Sequence, residues 1–375
     1  MSSPAVSLVR TWVTRAGIAV VFAAALAMPL RVRAVEPFSS WSSLTTGNGY
    51  GFAVYDVGRA RLSWLTERPY YARDATRRTR DLAYDAYFGI RASGGAGWLS
   101  DVAVDSARYA GQSHVIEVDQ RFGPIRARTH VLAPWGLDAP AVVLALRVTN
   151  ASSVPQPNAA AYALLNFHLG GGAPDPGNAG ESVRWDGDAY VETGPSGLSL
   201  RYVPLVAPSF RGASPENPHP TGRLGGNLVA VDDSGVRDDA VAGYQWELDD
   251  LAPFETRWVG VLVTLAPSDA ATAWIAGRGP EAIVLDELAA WESWRVAPPA
   301  DLSDAERLVW RQSESVLRMG QVREEGRGHG AILAALPPGV WWIAWVRDMS
   351  YATAALARMG HAAEAAAAVA FFDGA

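Results

Sequence analysis

The chain has 375 residues, 49% of them hydrophobic and 19% charged, and its net charge is −7 at pH 7. This composition indicates a folded globular protein of about two domains, and it excludes a disordered chain and a basic nucleic-acid-binding one. The absence of Cys excludes disulfides, thiol catalysis and Cys-based zinc sites.

The first segment has the pattern of an export signal. Arg10 and Arg15 precede an apolar run over 16–30, and the small residue Ala34 follows soon after. The run is shorter than the ~20 residues that span a bilayer. Residues 1–34 are therefore predicted to be a signal peptide cleaved near Ala34, with cleavage after Ala27 or a retained anchor as alternatives. The mature protein is predicted to be secreted or periplasmic, without stable membrane insertion.

Residues 35–267 are predicted to form a large antiparallel β-sandwich. Strand-like runs follow one another with turn residues between them and no helix, which is typical of that architecture. The stretch Asp186-Gly187-Asp188 is interpreted as a hairpin turn rather than a metal-binding loop. The predicted strands lie within 49–57, 113–122, 125–133, 141–150, 182–192, 197–206 and 255–266.

The hydrophobic period changes near residue 268, where a helical linker over 268–302 is predicted. Ser268 is a candidate N-cap for its first helix, and Pro280 suits the first turn of its second. Ser303 and Glu306 form a capping box that predicts the start of a longer helix. The predicted apolar face of that helix contains Ala305, Leu308, Val309, Val316 and Met319.

The most unusual stretch is 341-WWIAWVRD-348, in which a charged pair ends an apolar run. Buried charges are costly unless they are paired and hydrogen-bonded, so the pair is either a solvated helix start or the floor of a polar site. Asp348 could also serve as the N-cap of the helix that follows. Most of the 15 Trp are expected in the core, but the cluster of Trp341, Trp342 and Trp345 is predicted not to be fully buried.

The stretch 330-GAILAALPPGVWWIAWVRDMSYATAALARMGHAAEA-365 resembles the start of the catalytic domain of glycoside hydrolase family 15, the glucoamylase-like enzymes. The matching parts are Gly330-Ala331-Ile332, Pro337-Pro338-Gly339 and Trp345-Val346-Arg347-Asp348. The stretch 46-TGNGYGFAVYDVGRARLSWL-65 is similar to the opening strand of the family's bacterial sandwich domain. The fold class implied is mainly β plus α: a sandwich, linker helices, and residues 303–375 as the first helices of an incomplete (α/α)6 barrel.

The resemblance also implies a function, which is release of glucose from the non-reducing ends of α-glucans with inversion. It assigns Trp345, Arg347 and Asp348 to binding of the terminal sugar. A carboxylate accepts hydrogen bonds from sugar hydroxyls and a guanidinium donates to them, so the residue types suit that role. An α-glucan or oligosaccharide is the expected partner, and no cofactor or metal is expected.

Inverting hydrolysis needs two carboxylates, a general acid and a general base. In the family these residues come from later parts of the barrel, and no pair in this sequence takes their place. The chain by itself is therefore predicted to be inactive, as the N-terminal portion of a longer hydrolase. The alternatives are a non-catalytic sandwich that binds carbohydrate or a partner, a trehalase of the same family, and a disaccharide phosphorylase of similar architecture.

Overall fold

The structure is a computed structural model, and it describes residues 42–70, 81–170, 177–215, 218–219, 224, 228, 236–238, 240–339 and 341–374. The predicted signal peptide lies outside these ranges. The described residues contain seventeen strands, numbered in chain order, and every pairing between them is antiparallel.

The strands of the first sheet come mostly from the two ends of the sandwich segment. They are β1 (Ser43–Gly47), β2 (Phe52–Asp56), β3 (Arg61–Leu65), β4 (Ala83–Ala92), β5 (Gly95–Trp98), β10 (Gln156–Phe167), β14 (Phe210–Ser214) and β16 (Val241–Leu251). Their order is β1-β2-β3-β4-β10-β16-β14, and β5 forms a hairpin with β4.

The second sheet is larger, and it uses strands from the middle of the segment together with its last strand. They are β6 (Val104–Tyr109), β7 (Ile116–Phe122), β8 (Ile125–Leu132), β9 (Ala141–Asn150), β11 (Ser182–Trp185), β12 (Tyr190–Thr193), β13 (Ser199–Pro204), β15 (Val236–Arg237) and β17 (Thr256–Thr264). Their order is β15-β11-β12-β13-β17-β9-β8-β7-β6.

The main core lies between the two sheets. Ala86 and Phe88 of the first sheet face Leu144 and Thr129 of the second across a small gap. Successive residues of a strand point to opposite faces, yet β9 is buried on both, because helices cover the outer face near Val143. This architecture confirms the predicted antiparallel sandwich followed by helices.

The Asp186-Gly187-Asp188 stretch forms the predicted hairpin turn. β11 and β12 pair with Trp185 opposite Tyr190, so residues 186–189 make the connection. Asp186 and Asp188 both bind the Arg201 guanidinium, at 2.6 and 3.2 Å. The two carboxylates therefore serve an ion pair.

Five helices follow the sandwich in the described residues. They are α1 (Ser268–Ile275), α2 (Pro280–Trp294), α3 (Asp304–Gly320), α4 (Val346–Met359) and α5 (Ala362–Gly374). The Ser303–Glu306 capping box is present as predicted. The proposed Ser268 cap is wrong, because Pro267 occupies the N-cap position and Ser268 is already helical. α2 packs Ile283 and Val284 onto the outer face of the second sheet.

The buried face of α3 differs from the predicted apolar face. Val309 and Val316 are exposed, at 62% and 40%, whereas Gln312, Glu314 and Arg318 are buried. The prediction was wrong because the surface that α3 meets offers polar groups and indole rings to polar side chains of the helix. Ser315 Oγ donates to the Gln112 carbonyl at 2.6 Å, and Glu314 lies 3.0 Å from His361 Nε2; both bonds satisfy buried polar groups.

A buried cluster joins the helices to the sandwich, and we call it the junction cluster (His114, Trp135, Glu287, Trp291, Trp294 and Arg318). The Arg318 guanidinium carbon lies 4.1 Å from the ring centroids of Trp135 and Trp294 and 4.6 Å from that of Trp291. Glu287 Oε1 lies 2.8 Å from His114 Nε2 and accepts from Trp291 Nε1 at 2.9 Å. Burial opposes ionisation of Glu287, but these bonds and the Trp135 amide outweigh it, so its pKa is lowered.

Candidate functional site

The loop that leads into α4 is held against the sandwich. The Trp342 ring is 5% exposed and packs edge-on against Trp64 of β3, with centroids 5.4 Å apart. Thr45 Oγ1 of β1 donates to the Pro337 carbonyl. Two backbone bonds, from Ala334 and Ala335 to the far side of the loop, close it on itself. The position at which α4 begins is therefore fixed by contacts with the first sheet.

α4 begins earlier than Asp348. Trp345 is the N-cap, with extended backbone (φ −87°, ψ 130°), and the Met349 amide donates to its carbonyl at 2.8 Å. Asp348 is thus the third helical residue, and the N-cap interpretation was wrong. An acidic side chain in the first turn is still favourable, because it lies near the positive end of the helix dipole.

Arg347 and Asp348 are in contact and open to solvent. Arg347 Nη2 lies 3.3 Å from Asp348 Oδ2, and the two side chains are 83% and 40% exposed. The pair is therefore a solvated helix start and not the floor of a closed site. An exposed ion pair adds ~0–1 kcal/mol to stability, so fold stability gives little reason for this arrangement.

Exposed aromatic rings surround the charged pair. Trp341 and Trp345 are 56% and 48% exposed, and their ring centroids lie 5.9 Å apart at 70°. This confirms that the tryptophan cluster is not fully buried. Tyr351 is 76% exposed and follows Arg347 by four residues and Asp348 by three, which places it on the same side of the helix. We call these five residues the α4 surface.

The α4 surface offers hydrogen bonds of both kinds beside flat apolar faces. Asp348 accepts, Arg347 donates, and the indole rings provide apolar area with an N–H at the edge. Such a set suits a ligand that has hydroxyls and an apolar face. All three predicted site residues lie here. Tyr351 was missed, although its spacing from Arg347 could have indicated it.

In the described part of the chain, no group of three His, Asp or Glu side chains could hold a metal ion. Nor does any helix there have the length and apolar character needed to cross a membrane.

Comparison with known proteins identifies the fold. No protein-family model and no curated protein matches the chain. Among solved structures, a bacterial glucoamylase complexed with acarbose is similar over 88% of this chain and 49% of its own, with 10% identity and a TM-score of 0.57. The chain thus has a glucoamylase-like fold and spans about half the length of that structure.

Two weaker matches cover a smaller share of the chain. A galactose mutarotase related enzyme from Lactobacillus acidophilus is 9% identical, with 59% of this chain and 96% of that one covered and a TM-score of 0.35. A putative aldose 1-epimerase from Escherichia coli K12 is 10% identical, with 59% and 98% covered and a TM-score of 0.33.

Proposed function

We propose that the chain is the N-terminal portion of a glucoamylase-like hydrolase that releases glucose from the non-reducing ends of α-glucans. The observation that carries the proposal is the likeness to a bacterial glucoamylase, which extends through the sandwich and the helices together. That glucoamylase is complexed with acarbose, and we propose an oligosaccharide ligand for this chain as well. The predicted export signal at residues 1–34 supports a secreted or periplasmic location.

In this proposal the α4 surface binds the terminal sugar. Asp348 accepts from sugar hydroxyls, Arg347 donates to a neighbouring hydroxyl, and Trp345 lines the site. Each charged group also holds the other in place, since their side chains are already in contact. The general acid and base are proposed to come from a further part of a longer polypeptide, so this chain would bind sugar without cleaving it.

The α4 surface can be tested by measuring maltoheptaose binding to the chain by calorimetry. Arg347→Ala is expected to weaken binding about tenfold or more, because a hydrogen bond to a charged group contributes ~1.5–3 kcal/mol. Asp348→Asn should weaken it similarly, since the amide loses charge-assisted acceptance. Arg358→Ala is the control: this exposed arginine lies in the last turn of the same helix. Equal affinity of all four proteins would contradict the proposed site.

The same experiment addresses the alternatives. Glucose release from maltoheptaose by the purified chain would contradict the proposal that this chain binds sugar without cleaving it. Trehalose binding in preference to maltooligosaccharides would favour the trehalase alternative, and phosphate-dependent binding of a disaccharide would favour the phosphorylase. Tight maltoheptaose binding that survives Arg347→Ala would favour a carbohydrate-binding sandwich whose site lies elsewhere.

A further inference from the structure

The outer face of the second sheet is rich in arginine, on the part that continues beyond the contact with α2. We call it the arginine face; it contains Arg108, Arg121, Arg126, Arg128 and Arg147. Strand register places these residues on four neighbouring strands, β6 to β9. The whole chain has a net charge of −7, so such a concentration of cations is unusual for this molecule.

Two carboxylates of β7 pair with part of the arginine face. Glu117 lies 2.6 Å from Arg108, and Asp119 accepts two bonds from Arg128, at 2.8 and 3.0 Å. The Asp119–Arg128 bond is bidentate, which is the geometry in which a guanidinium recognises a carboxylate. A third acid, Asp105 of β6, lies 3.5 Å from Arg121, and both of these side chains are exposed. All three acids lie on the β6 side of the face, and Arg126 and Arg147 are left without them.

Arginines also lie opposite one another on neighbouring strands. Arg121 lies directly opposite Arg126, and Arg128 directly opposite Arg147. Like charges in directly opposite positions destabilise a sheet. Neither Arg126 nor Arg147 forms an ion pair with a described residue, and Nε of Arg147 is buried without a hydrogen-bond partner there. A buried unpaired donor has an energetic cost. The face therefore has unused capacity for anions.

The surroundings provide room and further contacts. An open depression of about 340 Å³ is lined by Arg121 and Arg126, the turn residues Gly123 and Pro124, and Ala151. On the next strand, Trp258 lies opposite Arg147 and is half-buried, with an indole N–H that also has no partner in the described residues. The strand register thus places Arg147 and the Trp258 ring on the same face of the sheet as Arg126 and Arg128.

We propose that the arginine face binds an anionic polysaccharide, with Arg121, Arg126 and Arg147 donating to its carboxylates. Carboxylates are the anions this face already binds in bidentate geometry, and a polyuronate carries one on each sugar. The acids of the face repel any anion, so a polymer with one charge per sugar suits it better than nucleic acid, whose phosphates carry one charge per ~1.7 Å of duplex. This site lies on different strands from the α4 surface and does not depend on the proposed hydrolase function.

The test is affinity electrophoresis of the full chain in gels that contain polygalacturonate, with neutral pullulan gels as the reference. Retardation is expected in polygalacturonate at low salt and is expected to disappear at high salt, as exposed charge interactions are screened. The triple variant Arg121→Gln/Arg126→Gln/Arg147→Gln should lose at least tenfold in apparent affinity.

A matched triple variant controls for net charge. Arg59→Gln/Arg184→Gln/Arg358→Gln removes the same three charges from exposed positions outside the face, and less than a twofold loss is expected. Equal losses in the two variants would overturn the proposal, because they would reflect total charge alone. Absence of retardation of the unmodified chain, or stronger retention by duplex DNA at equal salt, would overturn it too. Circular dichroism of both variants establishes that they are folded.

Discussion

At the scale of single residues, the interior of the sandwich contains a carboxylic acid where hydrophobic packing would be expected. Glu192 of β12 is completely buried, its Oε2 accepts from the Tyr202 hydroxyl, and the buried Glu181 lies beside it. Burial raises the pKa of Glu192 well above its usual value, and the Glu181 charge adds to the effect. Between the unfolded-state pKa and the raised folded-state pKa, the folded protein therefore retains a proton that the unfolded chain has released.

Glu192→Gln should make the protein more resistant to raised pH. Because the folded-state pKa is raised, the stability due to this group is complete below its unfolded pKa and is lost as pH rises through the folded-state value. The amide resembles the protonated acid, so we expect a gain of about 1 kcal/mol at pH 8 and little change at pH 4. Urea unfolding at pH 4 and pH 8 measures the free energy of unfolding of the variant and the parent, and Glu325→Gln, at an exposed position, is the control. A gain of the same size at pH 4 would contradict the titration argument.

The tryptophans of the α4 surface show how far sequence reasoning reaches for a single residue. The resemblance singled out Trp345, and the density of Trp in 341–345 indicated that some rings would be exposed. Which ring is buried depends on Trp64, a residue almost 280 positions earlier that packs on Trp342. A contact between such distant positions leaves no trace in the local pattern.

At the scale of elements, α3 shows that periodicity defines a face without defining its environment. The spacing of Val309, Val316 and Met319 correctly indicated a helix, but only Met319 is buried. The face that packs inward contains Arg318, whose guanidinium lies among three indole rings. The rings come from a sandwich loop and from α2, so the partner surface could not be predicted from α3 alone.

Arg318→Ala should destabilise the protein by about 3 kcal/mol, because it leaves a cavity and removes contacts with three rings. Burial already lowers the pKa of this guanidinium to about 9, which indicates that its charge is poorly solvated. Arg318→Met retains most of the volume without the charge and should cost less, about 1 kcal/mol. Urea unfolding gives both values, and the exposed Arg358→Ala should stay within about 0.5 kcal/mol of the parent. Identical losses for Ala and Met would show that packing volume does not matter at this position.

At the scale of the whole molecule, the overall architecture was predicted from the sequence more accurately than the number and positions of the individual strands. Each of the seven predicted runs contains at least part of a strand, but nine of the seventeen strands in the described residues lie outside those runs, among them β4, β10 and β16. β10 lies inside the first sheet and has an Ala-rich sequence. It is buried along most of its length, so buried and exposed residues do not alternate there. Strands that are buried on both faces lack the period of two that identifies half-exposed ones. The order of elements along the chain, with strands first and helices afterwards, was enough to indicate the fold class.

The predicted linker helices also bear on how the whole molecule unfolds. The described residues form one compact unit, and α2 contributes Ile283 and Val284 to the same apolar cluster as Val143 and Leu262 of the second sheet. A helix that completes the core of a sheet should unfold together with it. We therefore expect a single cooperative transition in which the sandwich and α2 lose structure at the same denaturant concentration.

Ile283→Ala tests this coupling in the intact chain. The side chain is 1% exposed, so its truncation should cost about 2–5 kcal/mol and shift the whole transition to lower urea. The neighbouring Leu285 is 57% exposed and faces away from the sheet, and Leu285→Ala should shift the midpoint by less than about 0.5 kcal/mol in free energy. Far-ultraviolet circular dichroism follows helices and strands, and tryptophan fluorescence follows the burial of the indole rings, among them those of the junction cluster. An early helical transition in Ile283→Ala, with the strand signal unchanged, would mean that α2 only rests on a sandwich that is stable without it.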